Sequence, residues 1–297
     1  MTILDAVLQG ILQGLTEFLP VSSSGHLSLY QYFTGNSGET AFLLSILLHA
    51  GTLVAVCVCF YKEILRLVYE FFCLVQDMFR RRGRAGKPHR MPPERRTVIM
   101  LILSTLPLAF MLLLKDRVEQ FSADNNITVE GFCFLVTAIL LFLGSGRSRG
   151  RKNGATITWQ NALTVGAAQV AATMPGISRS GSTISTGLLC GFEREYAVSY
   201  SFIMGIPAVL GAIILELKDL GTAEGLPVLV LLTGFFTAVL FGILSIKLVQ
   251  WLVRGNKFRI FAYYTLVLGI VVLTIGFIDS FTDHAVQEFF IRLAGHQ

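Results

Sequence analysis

The chain has 297 residues, 53% of them hydrophobic and only 14% charged, with a formal net charge of +5, and its mean hydropathy is +0.65. A soluble domain carries about 25% charged residues, so composition excludes a soluble globular protein and points to an all-α, polytopic membrane protein. The five cysteines all lie in apolar segments and read as small hydrophobic residues, not as metal ligands. No Lys or Arg precedes Lys62, so the basic n-region of a cleavable signal is missing and the N-terminus is expected to be retained.

Residues 10–26 read GILQGLTEFLPVSSSGH. Apolar periodicity and the i, i+4 pair Gln13 and Glu17 suit a helix with both polar side chains on one face. Pro20 disfavours helix at Leu19, so the helix is predicted to stop there. The serines, glycine and histidine that follow suit a tight turn and the N-terminal cap of a second helix. An apolar run at 40–61 is long enough to span a bilayer, which takes about 20 residues. Charges mix with Leu, Val and Phe at helical spacing over 62–79, which predicts an amphipathic interfacial helix. The strongly basic stretch 80–96 could suit nucleic acid, but between two spans it reads as a cytoplasmic loop, and no nucleic-acid partner is expected. Spans are predicted at 97–114 and 127–143, followed by a basic segment at 144–154. A second polar motif fills 159–193, and further spans run at 196–217, 227–251 and 260–279.

Sliding the sequence along itself by 156 residues aligns the first motif with GAAQVAATMPGISRSGS, residues 166–182. Identities include Gly10/Gly166, Gln13/Gln169, Ser22/Ser178, Ser24/Ser180 and Gly25/Gly181. That pattern reads as a duplication. The copies differ at chemical positions: Ser23 faces Arg179, Glu17 faces Thr173, and His26 faces Ser182. The segments 62–96, 144–158 and 254–259 hold 17 of the 24 Lys and Arg residues. With all three placed inside, each motif becomes a re-entrant hairpin entering from the opposite side to the other. The expected fold is one membrane domain over 1–297, an inverted-topology repeat. Its halves, 1–143 and 159–279, each comprise a re-entrant helical hairpin plus three transmembrane helices.

The two motifs resemble those of the undecaprenyl-diphosphatase, or bacitracin-resistance, family. QGLTEFLPVSSSGH is similar to the family's (Glu/Gln)-x-x-x-Glu element with its Leu-Pro-Val-Ser-Ser run, and PGISRSGST at 175–183 to its Pro-Gly-x-Ser-Arg-Ser-x-x-Thr signature. The resemblance covers nearly the full length. It implies functional roles for Glu17, Ser23, His26, Ser178, Arg179, Ser180 and Thr183. It also implies a divalent cation (Mg2+ or Ca2+), a homodimer, and an outward-facing site in the bacterial inner membrane. Many members carry Glu where this chain has Gln13, leaving one carboxylate fewer for metal.

Physical chemistry gives each of these residues a role and a plainer alternative. Arg179 in an apolar unit costs roughly 2.5–3.5 kcal/mol on insertion scales. It could form a structural ion pair with Glu17, but its planar fork suits phosphate, with Ser178, Ser180 and Thr183 adding hydroxyl donors. Backbone N–H groups of a helix starting after Gly181 would assist. Glu17 reads as base, metal ligand or both, and Gln13 as a metal ligand through its carbonyl or a packing residue. The nucleophile is Ser23, His26 or metal-bound water, with Ser23 preferred because it has no counterpart in the second copy. Ser22 and Ser24 recur there and read as capping residues, while His49, alone in a span, stays undecided. The expected activity is removal of the terminal phosphate from a polyprenyl diphosphate, recycling a lipid carrier for cell-wall synthesis. The rival is a secondary transporter or lipid flippase built on the same repeat.

Overall fold

The computed structural model describes residues 2–35, 39–79, 91–111, 127–147, 150–219, 226–282 and 284–293. Among them are twelve α-helices: α1 (Ile3–Phe18), α2 (Ser23–Thr34), α3 (Glu39–Cys59), α4 (Tyr61–Phe79), α5 (Pro93–Met111), α6 (Thr128–Ser145), α7 (Trp159–Ala171), α8 (Arg179–Leu189), α9 (Arg194–Asp219), α10 (Val228–Arg254), α11 (Arg259–Phe281) and α12 (Ala285–Leu293). No strand occurs among the described residues; a single parallel bridge joins Lys152 to Phe192. The protein is an all-helical, multi-pass membrane protein.

Five helices, α3, α6, α9, α10 and α11, are long and apolar enough to cross a bilayer. The sequence predicts a sixth span at 97–114. Helix α5 occupies that place but opens on Glu94, Arg95 and Arg96, and the last three predicted residues lie outside the described residues. So do 36–38 of the polar patch, 80–90 of the basic loop, the loop at 112–126, and residues 148 and 149. Helix α4 carries no buried residue, as an interfacial amphipathic helix should. Arg95 ties it to α5 through Glu70 at 3.0 Å and Asp77 at 2.8 Å.

Two helix–turn–helix units organise the interior, and their local chemistry repeats at the 156-residue offset. Thr2 caps α1 in a capping box with Asp5, and Thr158 caps α7 in the same way with Asn161. Ser22 accepts the Gly25 N–H at the start of α2; Ser178 accepts the Gly181 N–H at the start of α8. Each first helix also lies against a long helix by way of glycine. A Cβ on Gly10 would stand 2.8 Å from the Gly234 carbonyl of α10, and one on Gly166 only 2.4 Å from the Ser104 carbonyl of α5. Small residues permit such close backbone approach, which drives helix association in lipid. Helices α6 and α11 pack along each other, as do α3 and α10.

The largest buried cluster joins Phe18 and Val21 of the first unit to Ile184, Phe202 and Ile246 of α8, α9 and α10. Phe18 meets Phe202 edge-on at 5.2 Å. That packing fixes the C-terminal end of α1 beside the N-terminal end of α8.

Candidate active site

Helix α1 stops at Phe18 with Leu19 as its C-cap in extended backbone, where Pro20 requires it. The chain then turns through Ser22, whose φ of 72° is a left-handed conformation that a serine adopts only at a cost. The equivalent Ser178 has a relaxed φ of −70°, so the strain belongs to one turn only. Helix α8 starts at Arg179, three residues earlier than the sequence suggests, because Ser178 takes the cap. The two turns touch. Ser180 Oγ donates to the Leu19 carbonyl at 3.2 Å, and a Cβ on Gly25 would stand 3.0 Å from Gly176 Cα. Thr137 of α6 pins the second turn by accepting the Ser178 N–H at 3.0 Å.

At this junction Glu17 is the hub. Its Oε1 accepts from Arg179 Nη2 at 2.5 Å. Its Oε2 accepts from Ser23 Oγ at 2.6 Å and from Gln13 Nε2 at 3.1 Å. The ion pair weighed as the plainer reading of Arg179 is therefore present, yet Nη1 of the same guanidinium is buried without a hydrogen-bond partner. A buried, orphaned cationic donor is costly unless something anionic meets it.

Glu17, Ser23 and Arg179 line a cavity of about 620 Å³. Ser22, Ser24, Ser178 and Ser180 complete its polar end, so the N-termini of α2 and α8 both face it and both favour an anion there. Phe42 of α3, Leu108 of α5, and Pro207 and Leu215 of α9 wall the remainder with apolar surface. A polar end with an apolar body suits a charged head on a hydrocarbon chain.

Several predicted residues lie elsewhere. His26 does not line the cavity. Its Nδ1 donates to the Ser22 carbonyl at 2.7 Å, which leaves Nε2 to accept from the Tyr264 hydroxyl at 2.8 Å. Its backbone N–H reaches the same Ser22 carbonyl at 3.3 Å, so His26 braces the strained turn that presents Ser23. Thr183 Oγ1 lies 2.6 Å from Ser201 Oγ and donates to the Arg179 carbonyl, away from the cavity. Ser178 and Ser180 line the cavity, but their hydroxyls already serve the helix cap and the Leu19 carbonyl. The structure instead brings in two residues to which sequence reasoning gave no role. His49 of α3 and Gln169 of α7 both line the cavity, and the Gln169 amide is buried with no partner for either atom. The only sequence signal for Gln169 is its match to Gln13.

Two side-chain oxygens are candidates for the divalent cation that the resemblance implies. Glu17 supplies one carboxylate and Gln13 Oε1 is a buried oxygen without a partner. Among the described residues no three His, Cys, Asp or Glu side chains cluster. Mg2+ is commonly held by one or two carboxylates together with substrate phosphates, which matches this sparse set better than an all-protein cage.

Curated relatives align over nearly their whole length. An undecaprenyl-diphosphatase of Methanosphaera stadtmanae is 40% identical, covering 92% of this chain and 98% of the relative. One from Methanobrevibacter smithii is 37% identical, over 92% and 97%, and undecaprenyl-diphosphatase 4 of Bacillus thuringiensis is 38% identical, over 94% and 99%. The family model described as bacitracin resistance protein BacA matches residues 6–271, taking in both motifs and the helices that join them. The chain belongs to the BacA bacitracin resistance family.

Proposed function

We propose that this chain releases the terminal phosphate of undecaprenyl diphosphate through a phosphoserine formed on Ser23. Membership of the BacA family carries the reaction class: the protein is a membrane phosphatase, and its product is the lipid monophosphate with inorganic phosphate. The observation that carries the residue roles is the Ser23 Oγ–Glu17 Oε2 hydrogen bond of 2.6 Å at the polar end of the cavity. A nucleophile with its base already in reach is the arrangement covalent catalysis needs.

The terminal phosphate lies against the Arg179 guanidinium and the N-termini of α2 and α8, and the prenyl chain runs along the α3, α5 and α9 walls. Ser23 Oγ attacks the terminal phosphorus and its proton passes to Glu17 Oε2. The bond from that phosphorus to the bridging oxygen breaks, and the lipid monophosphate leaves with the electron pair. Water then attacks the phosphoserine, inorganic phosphate departs, and Ser23 regains its proton. A divalent cation held by Glu17 and Gln13 Oε1 would supply positive charge to the diphosphate.

The halves 1–143 and 159–279 are read as an inverted-topology repeat, supported by the matched caps and glycine contacts and by the clustering of Lys and Arg. The family resemblance supports a polar end open to the outer face of a bacterial inner membrane, and the clustering of Lys and Arg supports the sidedness of the loops. A homodimer is part of the same reading and rests on family resemblance alone. The test is chemical. Substrate labelled at its terminal phosphate, acid-quenched during turnover, should leave acid-stable, base-labile label on the protein and none on a Ser23→Ala variant. Label lost in acid but stable in base would mean a phosphohistidine. Label kept equally by Ser23→Ala would end the serine route.

A further inference from the structure

The phosphoserine route needs two bases, and only one is accounted for. Glu17 takes the Ser23 proton in the first step and is then a neutral carboxyl. In the second step it must return that proton to Ser23 Oγ as the P–O bond breaks, while a water loses its own proton to attack phosphorus. One carboxyl cannot give and take at the same moment. The leaving lipid monophosphate is already an anion of a strong acid, so the first step asks for no acid partner.

His49 stands where the second base is needed. It projects from α3 into the cavity that holds Glu17, Ser23 and Arg179. Its Nδ1 lies 2.9 Å from the Ser45 carbonyl one turn back. A carbonyl oxygen only accepts, so Nδ1 carries the proton and Nε2 presents a bare lone pair. The ring is half-buried and shares the cavity with Glu17. The other histidine near the site, His26, has both ring nitrogens engaged outside the cavity. His49 lines the cavity from α3, and the α2 and α8 N-termini line its polar end. Serine attack expels the lipid monophosphate from the side of phosphorus opposite Ser23, and in-line water must enter where that group has left.

We infer that His49 is the general base for dephosphorylation, its Nε2 taking the proton of the water that attacks the phosphoserine. The proposal rests on the phosphoserine reading above. The atoms balance as follows. The water oxygen bonds phosphorus and one water proton goes to His49 Nε2. The phosphorus–Oγ bond breaks, and Oγ takes the proton held by Glu17. Imidazolium then passes its proton to the departing phosphate or to solvent. Neither oxidant nor co-reactant is required.

General-base assistance contributes about 10²–10⁴-fold, and here it belongs to the second step alone. His49→Gln and His49→Ala proteins, mixed in detergent with polyprenyl diphosphate labelled at the terminal phosphate, should form labelled Ser23 in a burst approaching one equivalent. Their steady phosphate release should fall by about 10²–10⁴-fold, and added imidazole should restore turnover to His49→Ala. A merely structural His49 would slow burst and turnover together and gain nothing from imidazole. The inference is overturned if both variants turn over at the parental rate, or if both lose the burst while the parent chain still becomes labelled. Absence of label from the parent chain and both variants would overturn the phosphoserine reading itself, and the role of His49 with it.

Discussion

Arg179 keeps its place because residue 205 has no side chain. A Cβ on Gly205 of α9 would stand 1.9 Å from Arg179 Nη1 and 2.7 Å from Cζ. Ordinary contact begins near 3.4 Å, so Gly205→Ala forces the guanidinium back by about 1.5 Å. A shift of that size along the 2.5 Å pair with Glu17 would open it toward the outer limit of an ion pair. Both side chains are largely buried, 17% and 7% exposed. At an effective dielectric near 20, that stretch weakens the attraction by about 2 to 3 kcal/mol. A misplacement of about 1 Å at a reacting centre can cost 10²-fold in rate, and the guanidinium that faces the cavity is the group displaced. The fold loses little, because the displaced atoms end a flexible side chain and alanine favours a helix interior over glycine by about 1 kcal/mol. Phosphate release from a polyprenyl diphosphate in detergent should therefore fall by about 10²-fold or more, with the melting temperature of the same preparation near that of the parent. Parental turnover would refute the reasoning, and so would a melting loss large enough to explain the rate.

Arg179→Lys should also lose most activity, since a point charge cannot bridge Glu17 and a phosphate as a planar fork does. Glu17→Gln should be at least as damaging in the same assay, while Gln13→Glu, which adds a carboxylate beside the cation position, should remain active. For His26 the expected loss is of stability first. His26→Ala leaves the Ser22 carbonyl and the Tyr264 hydroxyl short of partners and should cost about 1–3 kcal/mol in denaturant unfolding, and a melting curve unchanged from the parent would contradict the bracing role. Membrane orientation is open to labelling of intact cells with an impermeant thiol reagent in a cysteine-free background. A cysteine at Thr282, past the end of α11, should react and one at Lys257, before its start, should not; the reverse pattern would invert the topology.

The helices were legible because their signals are local. Pro20 ended α1 at Phe18 with Leu19 as its cap, and the serine runs capped α2 and α8 as short polar side chains do. Glu17, Ser23 and Arg179 were legible because charge or a non-recurring hydroxyl in apolar surroundings is expensive enough to need a reason. His26 could not be placed from sequence, since nearness along the chain to Ser23 says nothing about which face of α2 its ring takes. Helix α2 starts at Ser23, so the ring turns back over its own first turn and toward α11. His49 could not be placed for the opposite reason: its neighbours in space come from α1, α5, α7, α8 and α9, none of them near in sequence. The hydroxyls of Ser178, Ser180 and Thr183 offered the right chemistry, and the cap and the α9 contact consumed it.

The glycine seam between α1 and α10 also sets an order of events at the ribosome. Gly10 docks on the Gly234 carbonyl and Gly14 on that of Ala238, so the first hairpin made waits for a partner encoded some 220 residues later. At bacterial elongation rates that interval is between about 10 and 45 s. Throughout it Gln9, Gln13 and Glu17, all buried in the finished protein, have no α10 beside them, and Arg179 itself comes only in the second half of the chain. The first hairpin reaches its final packing only when the second half emerges, so the first candidate site residues translated are the last to reach their place.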